Sequence, residues 1–371
     1  MDIAALQSLN SQLLWAAFGL SCLFGFIVQR THFCTMGAVS DIVSMGDWTR
    51  MRVWGLAIGV AMLGFAGLTA TGLLDPTKVL YASNRFIWLS GLVGGLMFGF
   101  GMVLASGCGS KTLVRIGNGN LKSLLVFVVM GVASFATLKG ITAVLRVATV
   151  DRVAIDFAQP ATLGQWLANA AGLDPSIAAL ALGLLLGLGL LVWALTGRDF
   201  INTNNLLAGI GIGAIITAMW WLSGHIGFVP EHPETLEAVF LGTNSGRAES
   251  LSFVAPVAYT LDWLIFFSDK SKVLTIGIIS VVGMVSGSAL QALASGSFRW
   301  EGFGGTEDTA NHLVGAVLMG VGGVVAMGCT VGQGLSGIST LSLTSFVALA
   351  AILAGAAGGL KYQMWRLERS L

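Results

Sequence analysis

Charge is what this sequence has least of. Only 10% of its 371 residues are Asp, Glu, Lys or Arg, against about 25% in a soluble domain. The formal net charge of +1 supplies no global field for nucleic acid. Cysteine is scarce too. There are four, Cys22, Cys34, Cys108 and Cys329, with no CxxC and no Cys/His cluster at zinc spacing, which argues against a disulfide framework and against a metal site. The opening MDIAALQSLNSQ lacks the basic start of a signal peptide, so the first apolar run is expected to remain as a helix. The stretch GCGSKT has the wrong order for a phosphate loop and no glycine at the upstream spacing, which excludes an ATPase engine of that type.

What is present is apolar surface and glycine. Hydrophobic residues make up 55% of the chain, glycines number 51 and mean hydropathy is +0.83. That composition predicts an all-α integral membrane protein. A span needs about 20 apolar residues. Nine runs qualify, roughly 13–29, 53–73, 87–106, 122–146, 177–197, 204–222, 273–294, 312–328 and 343–360. Four more, at 33–45, 109–117, 255–267 and 330–340, are apolar but too short, and each adjoins a span as a re-entrant helix would.

The chain repeats itself. LVGGLMFGFGMVLASGC (Leu92–Cys108) aligns without a gap on LVGAVLMGVGGVVAMGC (Leu313–Cys329), nine of 17 positions identical at an offset of 221. At offset 220 Phe33 falls on Phe253, Arg50 on Lys270 and Arg52 on Lys272, and Asp41 meets Asp262 after a one-residue slip. Residues 13–146 therefore form one repeat and 204–360 a second, with 177–197 as a linking helix in a single membrane domain spanning 1–371. Five spans separate the mates, so the halves are expected to be inverted, as in many secondary transporters. Asp41 and Asp262 are expected to pair with basic residues. Lys and Arg concentrate on the side holding Arg30, Arg50, Arg52, Lys111, Arg115, Lys122, Lys361, Arg366 and Arg369, while loop 223–256 carries Glu231, Glu234, Glu237 and Glu249. That bias places the N-terminus outside and the C-terminus in the cytoplasm of a bacterial inner membrane.

Cys108 and Cys329 occupy the same place in both repeats, at the start of a short helix after a broken span. Such a helix start offers free N–H groups and about half a positive charge, which suits an anion. A thiol is small, nearly apolar and a weak donor, so it sits in a dry constriction more cheaply than a cation, which costs at least about 2.5–3.5 kcal/mol at the bilayer centre. Its softness suits sulfur. Cys34 opens the first short segment and is a third candidate, whereas Cys22, in mid-span, reads as core. Gly109 and Thr330 follow the repeated cysteines, Lys111 can attract an anion, and Gln333, its mate in the second repeat, can donate a hydrogen bond. Two chemistries remain open: neutral thiols that hand an anion along, or a thiolate that attacks a sulfur–sulfur bond and carries a persulfide.

The segments QRTHFC, SGCGSKTLVRIGNG and MGCTVGQGLSG, within a likeness running from Leu14 to Gly359, resemble the YeeE/YedE family of sulfur-transport membrane proteins. The resemblance implies an hourglass of nine spans and four short helices with an internal repeat. It implies thiosulfate uptake across the bacterial inner membrane, with cysteines on a central path passing the anion by S–H···S contacts. It also implies a TusA-like sulfur-carrier protein on the cytoplasmic side. By motif those cysteines are Cys34, Cys108 and Cys329. His32 stands where the family pattern leads us to expect a smaller residue, and other members have been linked to selenium or other sulfur species. The overall expectation is a transporter and not an enzyme, bound to the lipid bilayer, with no cofactor. The rivals are a membrane sulfurtransferase and a carrier of another solute.

Overall fold

The fold comes from a computed structural model that describes residues 2–198 and 200–370. In chain order the α-helices are α1 (Ile3–Thr31), α2 (Thr35–Met45), α3 (Thr49–Ala70), α4 (Trp88–Leu104), α5 (Gly109–Gly117), α6 (Leu121–Lys139), α7 (Ile141–Ala148), α8 (Leu163–Ala171), α9 (Pro175–Leu195), α10 (Thr203–Trp221), α11 (Ala255–Ile265), α12 (Ile276–Ala294), α13 (Thr306–Val325) and α14 (Leu343–Ser370). A π-helical segment, Gly332–Gly337, lies between the last two. Nine helical segments among the described residues are long and apolar enough to cross a membrane. The protein is an all-α, multi-pass integral membrane protein, and its four strands are two residues each.

One expectation is corrected. The run 122–146 is not one helix: α6 stops at Lys139, Gly140 is extended, and α7 sets off again. Ile141, Val144, Leu145 and Val147 of α7 are exposed, as in a helix lying along an interface. Residues 163–171, outside the expected spans and short segments, form α8, whose first N–H donates to the Leu341 carbonyl. The short segment at 330–340 is helical as expected, and its middle, Gly332–Gly337, is a π-helix.

Packing is set by glycine. α1 lies on α12, where a Cβ at Gly287 would come within 1.8 Å of the Cys22 carbonyl oxygen. The two run parallel, since Phe18 and Ser21 meet Gly283 and Cys22 meets Gly287. α3 packs likewise on α10, α4 on α14 and α6 on α13. The crossing of α4 and α13 is reciprocal. A Cβ at Gly94 would lie 2.4 Å from the Ala326 nitrogen and 2.7 Å from the Gly322 carbonyl oxygen; one at Gly315 would lie 2.6 Å from both the Ala105 nitrogen and the Gly101 carbonyl oxygen. These are the same contacts read in both directions, as across a twofold axis.

Candidate functional site

Both α4 and α13 end in a tight left-handed turn. The Ser106 N–H donates to the Val103 carbonyl and the Gly107 N–H to the Met102 carbonyl; the Met327 N–H donates to Val324 and the Gly328 N–H to Gly323. This bond pair is the Schellman stop. The left-handed residue is not glycine at either end, for Ser106 has φ 57 and Met327 φ 56, a conformation that costs an L-residue about 1–2 kcal/mol. Each turn delivers a cysteine two residues later to the start of the next helical segment.

Cys108 caps α5, its sulfur 3.2 Å from the Ser110 hydroxyl oxygen. The Cys329 sulfur accepts the Gly332 N–H at 3.5 Å, and the N–H groups of Phe253 and Val331 also point to it. Cys34 caps α2 and accepts the Gly37 N–H at 3.5 Å. Cys108 and Cys329 are buried, and Cys34 is half-buried. The three thiols are thus brought together. Cys108 lies within electrostatic range of both Cys34 and Cys329. Cys22 stands apart in the α1–α12 packing.

The remaining sequence candidates divide. Gly109 is buried with Met130 and the Phe253 carbonyl nearest its α-carbon. Lys111 lies within electrostatic range of Cys34, Arg115, Cys108 and Arg50. The Thr330 hydroxyl is fully buried without a partner. Gln333 is a correction: its Nε2 donates to the Ala326 carbonyl at 2.6 Å, which satisfies the end of α13 and leaves Oε1 as the orphan. It offers an acceptor, not the donor expected. The aspartates pair as expected, Asp41 with Arg50 at 3.2 Å and Asp262 with Lys272 at 2.6 Å.

Sequence reasoning missed Thr35, whose hydroxyl is also buried and unpartnered. The signal was available, because a threonine follows both Cys34 and Cys329. It also missed the backbone of Phe253, although the repeat alignment sets that residue opposite Phe33. The buried Trp54 indole N–H likewise has no partner, and its ring stacks on Phe33 at 4.5 Å.

Two cavities approach the thiols. One, about 360 Å³, lies at the C-terminal end of α1 and is lined by His32, Cys34, Asp41, Arg50 and Asn205. The other, about 220 Å³, lies at the N-terminal end of α12 and is lined by Arg146, Glu249, Tyr259, Ile276, Met327 and Gly328. Because α1 and α12 run parallel, the cavities sit at opposite ends of the helix pair. A further cavity, about 630 Å³ between α3, α8 and α9, touches none of the cysteines. A chain of three thiols, each at a helix start and bounded by cavities at opposite ends, can hold a small anion by soft sulfur contacts and backbone N–H groups.

The sulphur-transport family matches residues 30–358. The chain is 28% identical over 352 residues to the thiosulfate transporter TsuA of Escherichia coli (strain K12), covering 91% of each protein. It is 24% identical over 348 residues to the thiosulfate transporter TsuA of Spirochaeta thermophila, covering 91% of this chain and 94% of that one. A shorter match, 27% over 118 residues, is to the probable transporter YedE of Escherichia coli (strain K12), covering 32% of this chain and 28% of that one. With nearly its whole length matched, this chain belongs to the sulphur-transport family.

Proposed function

We propose that this protein takes up thiosulfate, or a similar small sulfur anion, across the bacterial inner membrane. The path runs from the cavity at Gly328 past Cys329, Cys108 and Cys34 to the cavity at the end of α1. What supports this reading is that three thiols stand at helix starts, with Cys108 in electrostatic range of the other two, and that cavities lie beside Cys34 and beside Gly328. Helix-end N–H groups supply partial positive charge without a full cation, so the anion is held weakly enough to leave. The unpartnered hydroxyls of Thr330 and Thr35 are donors for its oxygens. Lys111 draws the anion onward to the inner side, where Arg50 lines the cavity. In this reading the two halves are an inverted repeat, the N-terminus is outside, the C-terminus is cytoplasmic, and a TusA-like carrier receives the sulfur.

The test is uptake of labelled thiosulfate into vesicles holding purified protein, wild type beside Cys108→Ala and Cys329→Ala. Uptake by wild type and loss in both variants is the expected result; equal uptake by all three overturns the thiol path. The proximity of Lys111 to Cys34 and Cys108 favours a second reading, in which a thiolate attacks the sulfur–sulfur bond of thiosulfate, sulfite leaves, and the outer sulfur of the resulting persulfide passes to a partner. Cys108→Ser separates the two. A hydroxyl still donates a hydrogen bond but forms no persulfide, so retained uptake supports passage of the intact anion.

A further inference from the structure

The outer cavity holds a group that an anion path would be expected to avoid. Glu249 lines it together with Met327 and Gly328, the residues just before Cys329. Its carboxylate accepts the Ser245 N–H at 2.8 Å. Its backbone is fixed on both sides, the N–H donating to the Ser223 hydroxyl at 2.9 Å and the carbonyl accepting from the same hydroxyl.

The cations nearby are engaged elsewhere. Arg146, at the α7 side of the cavity, pairs with Asp151 at 3.2 Å. Arg247, on the same loop, donates to the Ala82 carbonyl at 2.8 Å. Lys78, across the strand-like pairing at Ala248, sits 4.6 Å over the Phe228 ring and pairs with Asp75 at 3.7 Å. His225, on the turn that carries Ser223, stacks on Trp221. On α11, Tyr259 lines the cavity and Asp262 is held by Lys272. Tyr81 lies within electrostatic range of both Glu249 and Cys329. No cation among the described residues pairs with Glu249.

We propose that Glu249 is a proton-binding gate at the outer mouth, and that the anion passes to Cys329 only when this carboxyl is protonated. The proposal rests on the uptake reading above. The cavity is about 220 Å³, too small for a carboxylate and a doubly charged anion to share without mutual repulsion. A proton from outside water removes the charge and turns the group into a hydroxyl donor. Burial pushes the Glu249 carboxyl above its ordinary value, against the opposing hydrogen bonds from Ser245 and Asn244. Burial therefore favours the protonated form, and the competent form is lost as pH rises.

The test is labelled-thiosulfate uptake in vesicles with inner and outer pH set equal, stepped from mildly acidic to mildly alkaline. Wild-type uptake is expected to fall by about tenfold for each pH unit above the Glu249 titration, because affinity scales with the competent fraction. Glu249→Gln, neutral at every pH, is expected to hold the acidic wild-type rate throughout. The same pH slope in Glu249→Gln overturns the gate and leaves the uptake reading standing; absence of wild-type uptake at every pH overturns both. Should Glu249→Gln fail to fold, wild type alone decides. Thiosulfate binding in weak buffer above the titration must draw a proton from solution, and an unmoved pH dye refutes the proposal.

Discussion

Gly94→Ala and Gly315→Ala are expected to destabilise the protein by the same amount, although the two residues are far apart in sequence. Each faces backbone of the other helix. The added carbon would sit 2.4 Å from the Ala326 nitrogen in one case and 2.6 Å from the Ala105 nitrogen in the other, against the 3.4 Å at which ordinary contact begins. Backbone cannot swing aside as a side chain can, so α4 and α13 must part by about 0.8–1.0 Å. Overpacking of that kind costs about 1–3 kcal/mol. The displaced atoms belong to the turns that deliver Cys108 and Cys329, so uptake should fall with stability in both variants. Gly189→Ala is the control, since its added carbon meets nothing within 4 Å. Thermal unfolding of the detergent-solubilised protein, beside vesicle uptake, reads both effects. A large loss in one variant with none in the other would refute the reciprocal crossing as the element that sets the site.

Gln333→Leu removes the donor to the Ala326 carbonyl and should cost about 1–3 kcal/mol in thermal unfolding; a silent change would mean that carbonyl is satisfied otherwise. Arg50→Gln breaks an ion pair whose arginine side chain is 50% exposed, so stability should change by less than about 1 kcal/mol, while thiosulfate uptake should fall because a cation leaves the inner cavity. Unchanged uptake would remove Arg50 from the path. Lys111→Met should lower uptake further, because Lys111 lies within electrostatic range of two thiols at once; uptake equal to wild type would make it a bystander.

Much of this was legible because the sequence punctuates itself. The short segments expected at 33–45, 109–117 and 255–267 are α2, α5 and α11 to within two residues, since Gly-Cys, Phe-Cys and Val-Ala-Pro breaks interrupt otherwise continuous apolar runs. The repeat located the breaks before Cys108 and Cys329, and the structure makes each a left-handed turn. The break at Gly140 was not legible, because apolar residues continue through it and only the extended backbone there divides α6 from α7. The role of Gln333 was hidden for another reason. Its amide could donate or accept, and only the nearby end of α13 fixes which half is used. Glu249 looked like one more acidic loop residue, because nothing in its neighbourhood records that the loop folds down over the outer cavity.

The turn at Met327 joins these observations. Glycine would remove the left-handed penalty of about 1–2 kcal/mol there, and Gly328 follows immediately with φ 159, so the chain has a glycine to hand and does not use it for the left-handed step. Strain of this kind persists where the surroundings over-determine it, and the reciprocal glycine contact supplies that constraint. What the methionine brings is a side chain. Met327 is 39% exposed and lines the cavity at the N-terminal end of α12 beside Glu249. Placed two residues before Cys329, a soft thioether narrows the approach without adding charge. Met327→Gly should therefore leave stability equal or improved while widening the approach, so that uptake discriminates less between thiosulfate and bulkier anions. Unchanged discrimination would return the side chain to a purely structural role.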